Sequence, residues 1–567
     1  MNIRRYLIPL ILIIFVGFGS IRPLLNSGFF PMHDDTQVGR VVVMGKALRN
    51  GQFPVRWVND LGYGYGYPIF NFYGPLPYYA GGSLYALGVS GLDSTKIMIA
   101  IGVIGSAMTF YVFLLPFLGI TASFVGAILY LYAPYHAVQT YVRGAVGELW
   151  TSIFFPLFLF GLLSYQRKLS NRLAILLGSV GLTGIILSHT IIGFVTVFLV
   201  GIGLAIYSII LLFQNRFSHI IFYIFQDKIF RIYISILFLG LALSAFFWIP
   251  AIFEMSSTAV QAQIGLTTAN YKDHFVCLSQ LWNSPWGFGG SIPGCIDGLS
   301  FKLGKIHILL AIVSLIIWFW NKDRNKLSRG IFLYASIITI VSIFFMLRIS
   351  EPIWSIIPGF SYIQYPWRFL VFSMLGLSML GAYSVSTVQH RFVRVILCLV
   401  ITLVVFTINS KVFSPQYIYN RASQEFENEK ELKWRVSKIS DEYLPPDFTR
   451  PTTIDGIAQN FIEQKETRSI ETVIHTETYT KVFIALALDE NVRLAQAYFP
   501  GWKYFIDGKQ IFPSIADGRP ILSIARGEHV LEIQFINTWV RSVANIVSIV
   551  AIIGALYFSS YGKKSIT

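Results

Sequence analysis

Of the 567 residues, 54% are hydrophobic, 16% aromatic and only 13% charged. Water-soluble domains carry about 25% charged residues, so a single soluble globule is excluded. The formal charge of +15 lies wholly in residues 1–410, where 26 Lys and Arg stand against 11 Asp and Glu; residues 411–567 carry 18 of each. Basic residues beside apolar stretches orient a membrane protein. No long basic run stands apart from those stretches, which argues against nucleic acid as a partner.

The first apolar run, Tyr6 to Ile21, follows Arg4 and Arg5. It reads as a spanning helix or a signal peptide, and either places the next segment outside. Further runs near 95–117, 121–138, 150–165, 173–188, 191–213, 232–250, 305–320, 330–347, 368–388, 394–410 and 539–559 bring the expected spans to twelve. The clusters Arg167-Lys168 with Arg172, Arg216 with Lys228 and Arg231, Lys322 to Lys326 with Arg329, Arg391 with Arg394, and Lys563-Lys564 then fall on one side. The positive-inside rule makes that side cytoplasmic, with both termini on it. Segment 75–91, rich in Tyr, Gly and Pro, is expected at the interface or as a re-entrant piece, because counting it as a span inverts every later loop.

Three outer segments are long: 23–94, 251–304 and 411–538. The last carries 15 Lys and Arg against 18 Asp and Glu. Two hairpins are expected in it, one turning at Asp507-Gly508 and one at Arg526-Gly527. Ser423 to Lys438 has a helical charge pattern. The expected fold is therefore a polytopic all-α membrane protein of about twelve helices, with an extracytoplasmic β-sandwich-like domain before the last helix. Its divisions are 1–410 (eleven helices, outer loop 23–94), 411–538 (β-rich), and 539–567 (last helix and basic tail). Cys277 and Cys295 share an outer loop, where a bridge and two free thiols are both open.

Charge within the spans is almost absent, which argues against an ion-coupled pathway and places any chemistry at the outer surface. Asp34-Asp35, a dozen residues after the first run, are adjacent carboxylates in a loop of aromatics, Gly and Pro. Such a pair can bind a divalent ion or supply a general base; alternatively both are solvated loop acids. Glu148 is the only acid between residues 94 and 226, and Arg143 is its natural partner. His189 marks an outer turn. Arg368, beside Trp367, can clasp a phosphate with its planar fork of donors or snorkel to headgroups. Tyr63, Tyr65, Tyr67, Phe70, Phe72 and Tyr73 can stack on sugars or simply pack the loop. Tyr498, Trp502 and Tyr504 offer the same choice in the β-rich segment.

Acids in the first and second outer loops, many helices and an outer soluble domain resemble the GT-C membrane glycosyltransferases. The strings MHDDTQVGRVVVMGKALRNGQFPVRWVNDLGYGYGYPIFNFYGPLPYY (32–79), SPWGFGGSIPG (284–294), QYPWRFL (364–370), YFPGWKYFIDGK (498–509) and GEHVLEIQF (527–535) resemble the bacterial YfhO-type proteins and the related family named for 6-pyruvoyl-tetrahydropterin synthase. The resemblance implies a GT-C-like helical domain in the bacterial plasma membrane. It also implies transfer of a sugar from a polyprenyl-phosphate donor to a cell-envelope glycan or glycolipid on the outer face. By position, Asp34 and Asp35 would supply the base or a metal ligand, and Glu148 the second-loop acid. Arg368 would hold the donor phosphate, with Arg143 and Arg40 beside it. A divalent metal, Mg or Mn, would draw on Asp34, Asp35, Glu148 and His189. Two other expectations compete: a transporter or flippase of lipid-linked sugars, and a non-catalytic envelope scaffold binding polysaccharide through its β-domain.

Overall fold

A computed structural model describes residues 4–167, 170–214, 225–263, 270–320, 326–462 and 465–560. The basic residues Lys168, Arg216, Lys322, Arg324, Lys563 and Lys564, on which the expected orientation partly rests, lie outside the described residues. The chain forms a helical bundle with a β-domain ahead of its last helix, as expected.

Among the described residues nine helices are long and apolar enough to cross a membrane. They include α1 (Arg4–Ile21), α4 (Gly91–Leu118), α6 (Val146–Leu163), α7 (Asn171–Ser188) and α8 (Thr190–Gln214). A tenth crossing is a broken one, α9 (Lys228–Leu243) and α10 (Ala245–Phe253), bent by 72°. The remaining two of the twelve expected segments are helical but short. Helix α5 (Ile120–Leu131) has 12 residues and α11 (Lys305–Trp320) has 16, so at 1.5 Å per residue neither crosses a core of about 30 Å unaided. The expected span 121–138 fails because Pro134 disfavours helical backbone at the residue before it. The chain restarts as a one-turn helix over Pro134–Ala137 and a wide turn over Val138–Arg143, ended by Gly144 at φ 65°. Segment 75–91 carries only the 11-residue α3 (Leu76–Ala86), too short to span.

Local chemistry sets the ends and the packing. The Ser90 hydroxyl caps α4 by accepting the Asp93 N–H at 3.1 Å, with Asp93 in the first turn where the helix dipole favours an anion. Helices α6 and α7 close tightly because Gly161 and Gly178 meet backbone to backbone; a Cβ on Gly161 would lie 2.4 Å from the Gly178 Cα. Small residues at such crossings are how helices associate in lipid, where no hydrophobic force separates helix from solvent.

The β-domain has two antiparallel sheets. Strands β1 (Arg468–His475), β2 (Tyr479–Leu486), β8 (Gly527–Phe535), β4 (Trp502–Ile506) and β5 (Lys509–Ile511) form one; β3 (Glu490–Arg493), β7 (Arg519–Ile524) and β6 (Ser514–Ala516) form the other. Alternate residues Val482, Ile484, Leu486, Leu531 and Ile533 of the first sheet and Val492, Leu522 and Ile524 of the second are buried in a common core. Asp507-Gly508 joins β4 to β5 as expected, with φ of 51° and 76°, the backbone of a type I′ turn. Arg526-Gly527 is not a hairpin. Strand β7 pairs with β3 and β6, while β8 pairs with β2 and β4, so the chain crosses between sheets there. The second hairpin turns one strand earlier, at Asp517-Gly518, with φ of 50° and 65°. Cys277 and Cys295 are bridged, and Cys398 is buried and free.

A buried ion pair fastens the last helix, α15 (Trp539–Ser560; α12 to α14 are Lys326–Met346, Leu370–Ser386 and Arg391–Asn409). Arg541 donates to Glu254 at 3.0 and 2.9 Å and to the Pro500 carbonyl at 2.8 Å. Asn71 and Thr538 donate to the same carboxylate at 2.9 and 2.8 Å. Removing one partner of a buried pair strands the other charge, a cost of about 3–5 kcal/mol. Arg541→Met is therefore expected to lower unfolding stability by that amount, and Glu254→Gln with Arg541→Met together by clearly less than the two singly. Denaturant unfolding of the detergent-solubilised protein measures both.

Candidate functional site

The first and second interhelical loops are laced together at the β-domain end of the bundle. The His33 and Asp34 N–H groups donate to the Val142 and Arg143 carbonyls, each at 3.0 Å. Gln37, at the start of α2 (Gln37–Arg49), donates to the Gly144 carbonyl at 2.8 Å. This places Asp34 beside the segment carrying Arg143 and Glu148.

The adjacent carboxylates go separate ways. Asp34 accepts from Thr36 at 3.0 Å, Gln37 at 3.1 Å, Arg40 at 3.2 Å and the Tyr73 hydroxyl at 3.1 Å. Its side chain nevertheless remains 29% exposed. Asp35 turns to the segment before the β-sheets, pairing with Arg435 at 2.8 Å. Arg435 also binds Glu431 at 2.5 Å, which binds Arg421 at 2.5 Å. Burial raises the Asp35 carboxyl above its ordinary range, against the pull of Arg435. Arg40 is buried under Asp34, lies 4.3 Å from the Tyr73 ring centre and donates to Ser440 at 3.0 Å. Glu442, beyond Ser440, is raised by burial. Arg40 thus orients Asp34 from behind instead of facing open space.

Glu148 is fully buried at the start of α6. It accepts from Arg143 at 2.9 Å, from Gln139 at 3.2 Å and from the Tyr135 hydroxyl. Burial disfavours charge on Arg143, but Glu148 overrides it and holds the guanidinium above its ordinary value. The Arg143 guanidinium also covers the Trp367 ring at 4.4 Å. Next to Trp367, Arg368 donates to the Ile363 carbonyl at 2.6 Å and the Gln364 side chain at 3.4 Å. Its Nε is buried with no hydrogen-bond partner, and it has no carboxylate partner among the described residues. The bridged loop closes over this region: His33 bonds the Phe288 carbonyl at 2.9 Å, and Trp367 donates to Ser291 at 3.1 Å.

His189 completes the group. Its Nδ1 accepts the Ile192 N–H at 3.2 Å, so that nitrogen carries no proton. Burial, with Arg368 and Arg143 nearby, pushes it down to about 3, while Glu148 and Asp34 pull the other way. Asp34, Arg143, Glu148, His189 and Arg368, from four segments of the sequence, therefore share one electrostatic neighbourhood. Asp35 and Arg40 sit at its margin.

The donors do not fit a metal. Among the described residues no three His, Cys, Asp or Glu side chains come together as a ligand set. The oxygens of Asp34, Asp35 and Glu148 are already engaged by arginine or hydroxyl donors, which repel or displace a cation. Most loop aromatics are packing: Tyr63, Tyr67, Phe70 and Phe72 are buried, as are Trp502 and Tyr504. Tyr73 reaches the site, but as a hydrogen-bond donor to Asp34. Sequence reasoning passed over Tyr135, Arg435, Ser440 and Glu442. Tyr135 stood close in sequence to Arg143 and Glu148, whereas the others are brought in from some 400 residues away.

Residues 70–414 match the model of the 6-pyruvoyl-tetrahydropterin synthase related domain, described as a membrane protein. No protein with a curated description matches. Among solved structures, the chain is similar to the arabinofuranosyltransferase AftD from Mycobacteria, with 12% identity and a TM-score of 0.44 over 74% of this chain and 28% of that one. It is similar to ArnT from Cupriavidus metallidurans, bound to undecaprenyl phosphate, with 13% identity and a TM-score of 0.35 over 69% and 61%. The Archaeoglobus fulgidus oligosaccharyltransferase shares 12% identity and a TM-score of 0.43 over 80% and 62%. The chain spans less than a third of the length of AftD and under two thirds of the other two.

An unfolded His189 takes its proton near 6.5, the folded one only near 3. Between those values the unfolded state binds more protons, so stability falls as pH falls through that window. His189→Gln is expected to flatten this loss, read as a smaller drop in unfolding temperature between pH 7.5 and pH 5 than in the wild type.

Proposed function

This chain belongs to the 6-pyruvoyl-tetrahydropterin synthase related family of membrane proteins, and for it we propose the activity that its site supports best: transfer of a sugar from a polyprenyl-phosphate donor to a glycan or glycolipid acceptor at the bundle end that carries the β-domain, outside the cell. The observation that carries this reading is the surplus guanidinium. Arg143 and Arg368 lie together with one carboxylate, Glu148, between them. A cation in a low-dielectric site without its own counter-ion is costly, and a phosphate offers the planar fork two acceptors at once.

Lipid-linked phosphate brings its own leaving group and anchor, so no nucleotide sugar is required outside the cell. In this mechanism Arg368, with Arg143, holds the phosphate oxygens and stabilises the charge that grows on them as the glycosidic C–O bond breaks. Asp34 accepts the proton of the acceptor hydroxyl as that oxygen bonds to the sugar carbon. The hydrogen bonds from Arg40, Tyr73, Gln37 and Thr36 hold the Asp34 carboxylate in a fixed orientation. A well-oriented carboxylate suffices when the sugar carbon is oxocarbenium-like and the hydroxyl loses its proton late. A single displacement inverts the anomeric centre. Asp35, committed to Arg435, takes no part in proton transfer, and Glu148 positions Arg143.

Sugar transfer from a radiolabelled polyprenyl-phosphate sugar, in membranes holding equal amounts of each variant, tests this reading. Asp34→Asn is expected to reduce transfer by about 10²–10⁴-fold, the usual worth of a general base. Asp35→Asn should stay within a few-fold of wild type. Equal transfer by wild type and Asp34→Asn would remove Asp34 from the chemistry. Donor translocation without transfer would favour a flippase.

A further inference from the structure

A second polar site lies at the far end of α2. Its first residue, Gln37, touches Asp34, and its last turn carries Lys46 and Arg49. From Gln37 to Lys46 and to Arg49 are nine and twelve residues, which at 1.5 Å rise separate the two sites by about 14–18 Å. There the first loop meets the turn between β1 and β2, enclosing an open groove of about 300 Å³ lined by Lys46, Arg49, Asn59, Asp60, His475 and Glu477 among others.

Two features mark the groove as made for a ligand. The first is Glu477, which is 6% exposed. One of its oxygens accepts the Asn59 N–H at 2.6 Å; the other has no hydrogen-bond partner among the described residues, and the residue lines the groove. Burial and the neighbouring Asp60 carboxylate push this group up to about 7, so near neutral pH the carboxyl exists in both forms, one accepting a hydroxyl proton and one donating. The second is the charge balance. Lys46 pairs with Asp60 at 2.6 Å. Arg49 lies over the Tyr85 ring at 4.7 Å with no carboxylate partner among the described residues. Two cations thus face two carboxylates, with amide, imidazole and hydroxyl groups between them.

We propose that this groove binds a neutral, hydroxyl-rich saccharide, as a docking site for the acceptor at a distance from the reaction centre. A phosphate or acidic sugar would face Asp60 and Glu477. An apolar ligand finds no apolar side chain to pack on, since every lining residue carries a polar or charged group. Vicinal hydroxyls, each a donor and an acceptor, suit paired carboxylate and guanidinium groups. Both elements of the groove hold it in place: the Asn59 side chain donates to the Thr476 carbonyl at 2.9 Å and accepts from the Trp57 indole at 3.0 Å. Only the word acceptor rests on the transferase reading; saccharide binding is measured without turnover.

The test presents the full-length protein in lipid nanodiscs to an array of neutral, acidic and amino oligosaccharides, with inorganic phosphate as competitor. Polyprenyl-phosphate binding, measured in parallel, reports an intact bundle. Wild type is expected to retain neutral oligosaccharides and to be indifferent to phosphate. Glu477→Gln and Lys46→Met should each weaken retention about tenfold or more, as loss of a hydrogen bond to a charged group does, with lipid binding unchanged. Arg49→Gln, at the exposed rim, repeats the test without disturbing a buried group. Retention of no oligosaccharide, retention of acidic ones only, displacement by phosphate, or equal retention by wild type and all three variants would overturn the proposal. Loss of transfer with neutral-saccharide retention intact would count against the transferase reading and leave the groove standing.

Discussion

The pairing of scarce carboxylates with guanidinium groups governs the β-domain end of this molecule. Burying a charge without a partner is costly, and four acids there pair with arginines: Asp34 with Arg40, Asp35 with Arg435, Glu148 with Arg143 and Glu254 with Arg541. Arg368, beside Arg143, has no carboxylate of its own among the described residues; buried Arg56 has none either, but its donors are taken by Asn71, the Phe246 carbonyl and Asn545. In the proposed mechanism that guanidinium, with an orphaned Nε, is what draws the phosphate to the site.

The same pairs hold the architecture. Asp35 with Arg435 and Glu254 with Arg541 each join the bundle to chain from the opposite end of the sequence. Aromatic packing reinforces the union: Trp57 of the first loop meets Trp502 at 5.2 Å and Phe535 at 5.8 Å, both on the β-domain. Main-chain bonds do the rest, with Phe29 and Tyr419 exchanging N–H and carbonyl groups at 3.0 and 2.8 Å. The first loop is therefore a wall shared by bundle and β-domain. The floor of the site depends on residues that chemistry alone would assign to neither.

Much of this was legible in the sequence. Each of the twelve apolar runs carries a helix, because hydropathy over 16 or more residues is a strong local signal. The failure at 121–138 was local too: Pro134 sits inside the run and breaks it. The first hairpin was readable from Asp507-Gly508. The second was misplaced because Arg526-Gly527 has a turn-like composition, whereas sheet membership is decided by pairing partners far away. Asp34, Arg143, Glu148 and Arg368 stood out because charge is rare beside apolar spans. What the sequence could not separate was Asp34 from Asp35. Adjacent residues have the same neighbours in sequence, and only Arg435, 400 residues on, draws one aside. Among the described residues the anticipated metal ligands do not gather into a set, since Asp34, Asp35 and Glu148 each pair with an arginine, Arg40 and Arg143 from nearby in the sequence and Arg435 from far away.

In the proposed mechanism Arg368 and Arg143 form a phosphate seat facing Asp34. Its most direct test is a cryo-electron-microscopy map of the protein in nanodiscs containing a polyprenyl phosphate. Phosphate density is expected within hydrogen-bond distance of the Arg368 guanidinium, on the side facing Asp34, and is expected to be lost in Arg368→Ala. Phosphate density settled elsewhere, or unchanged in that variant, would contradict it.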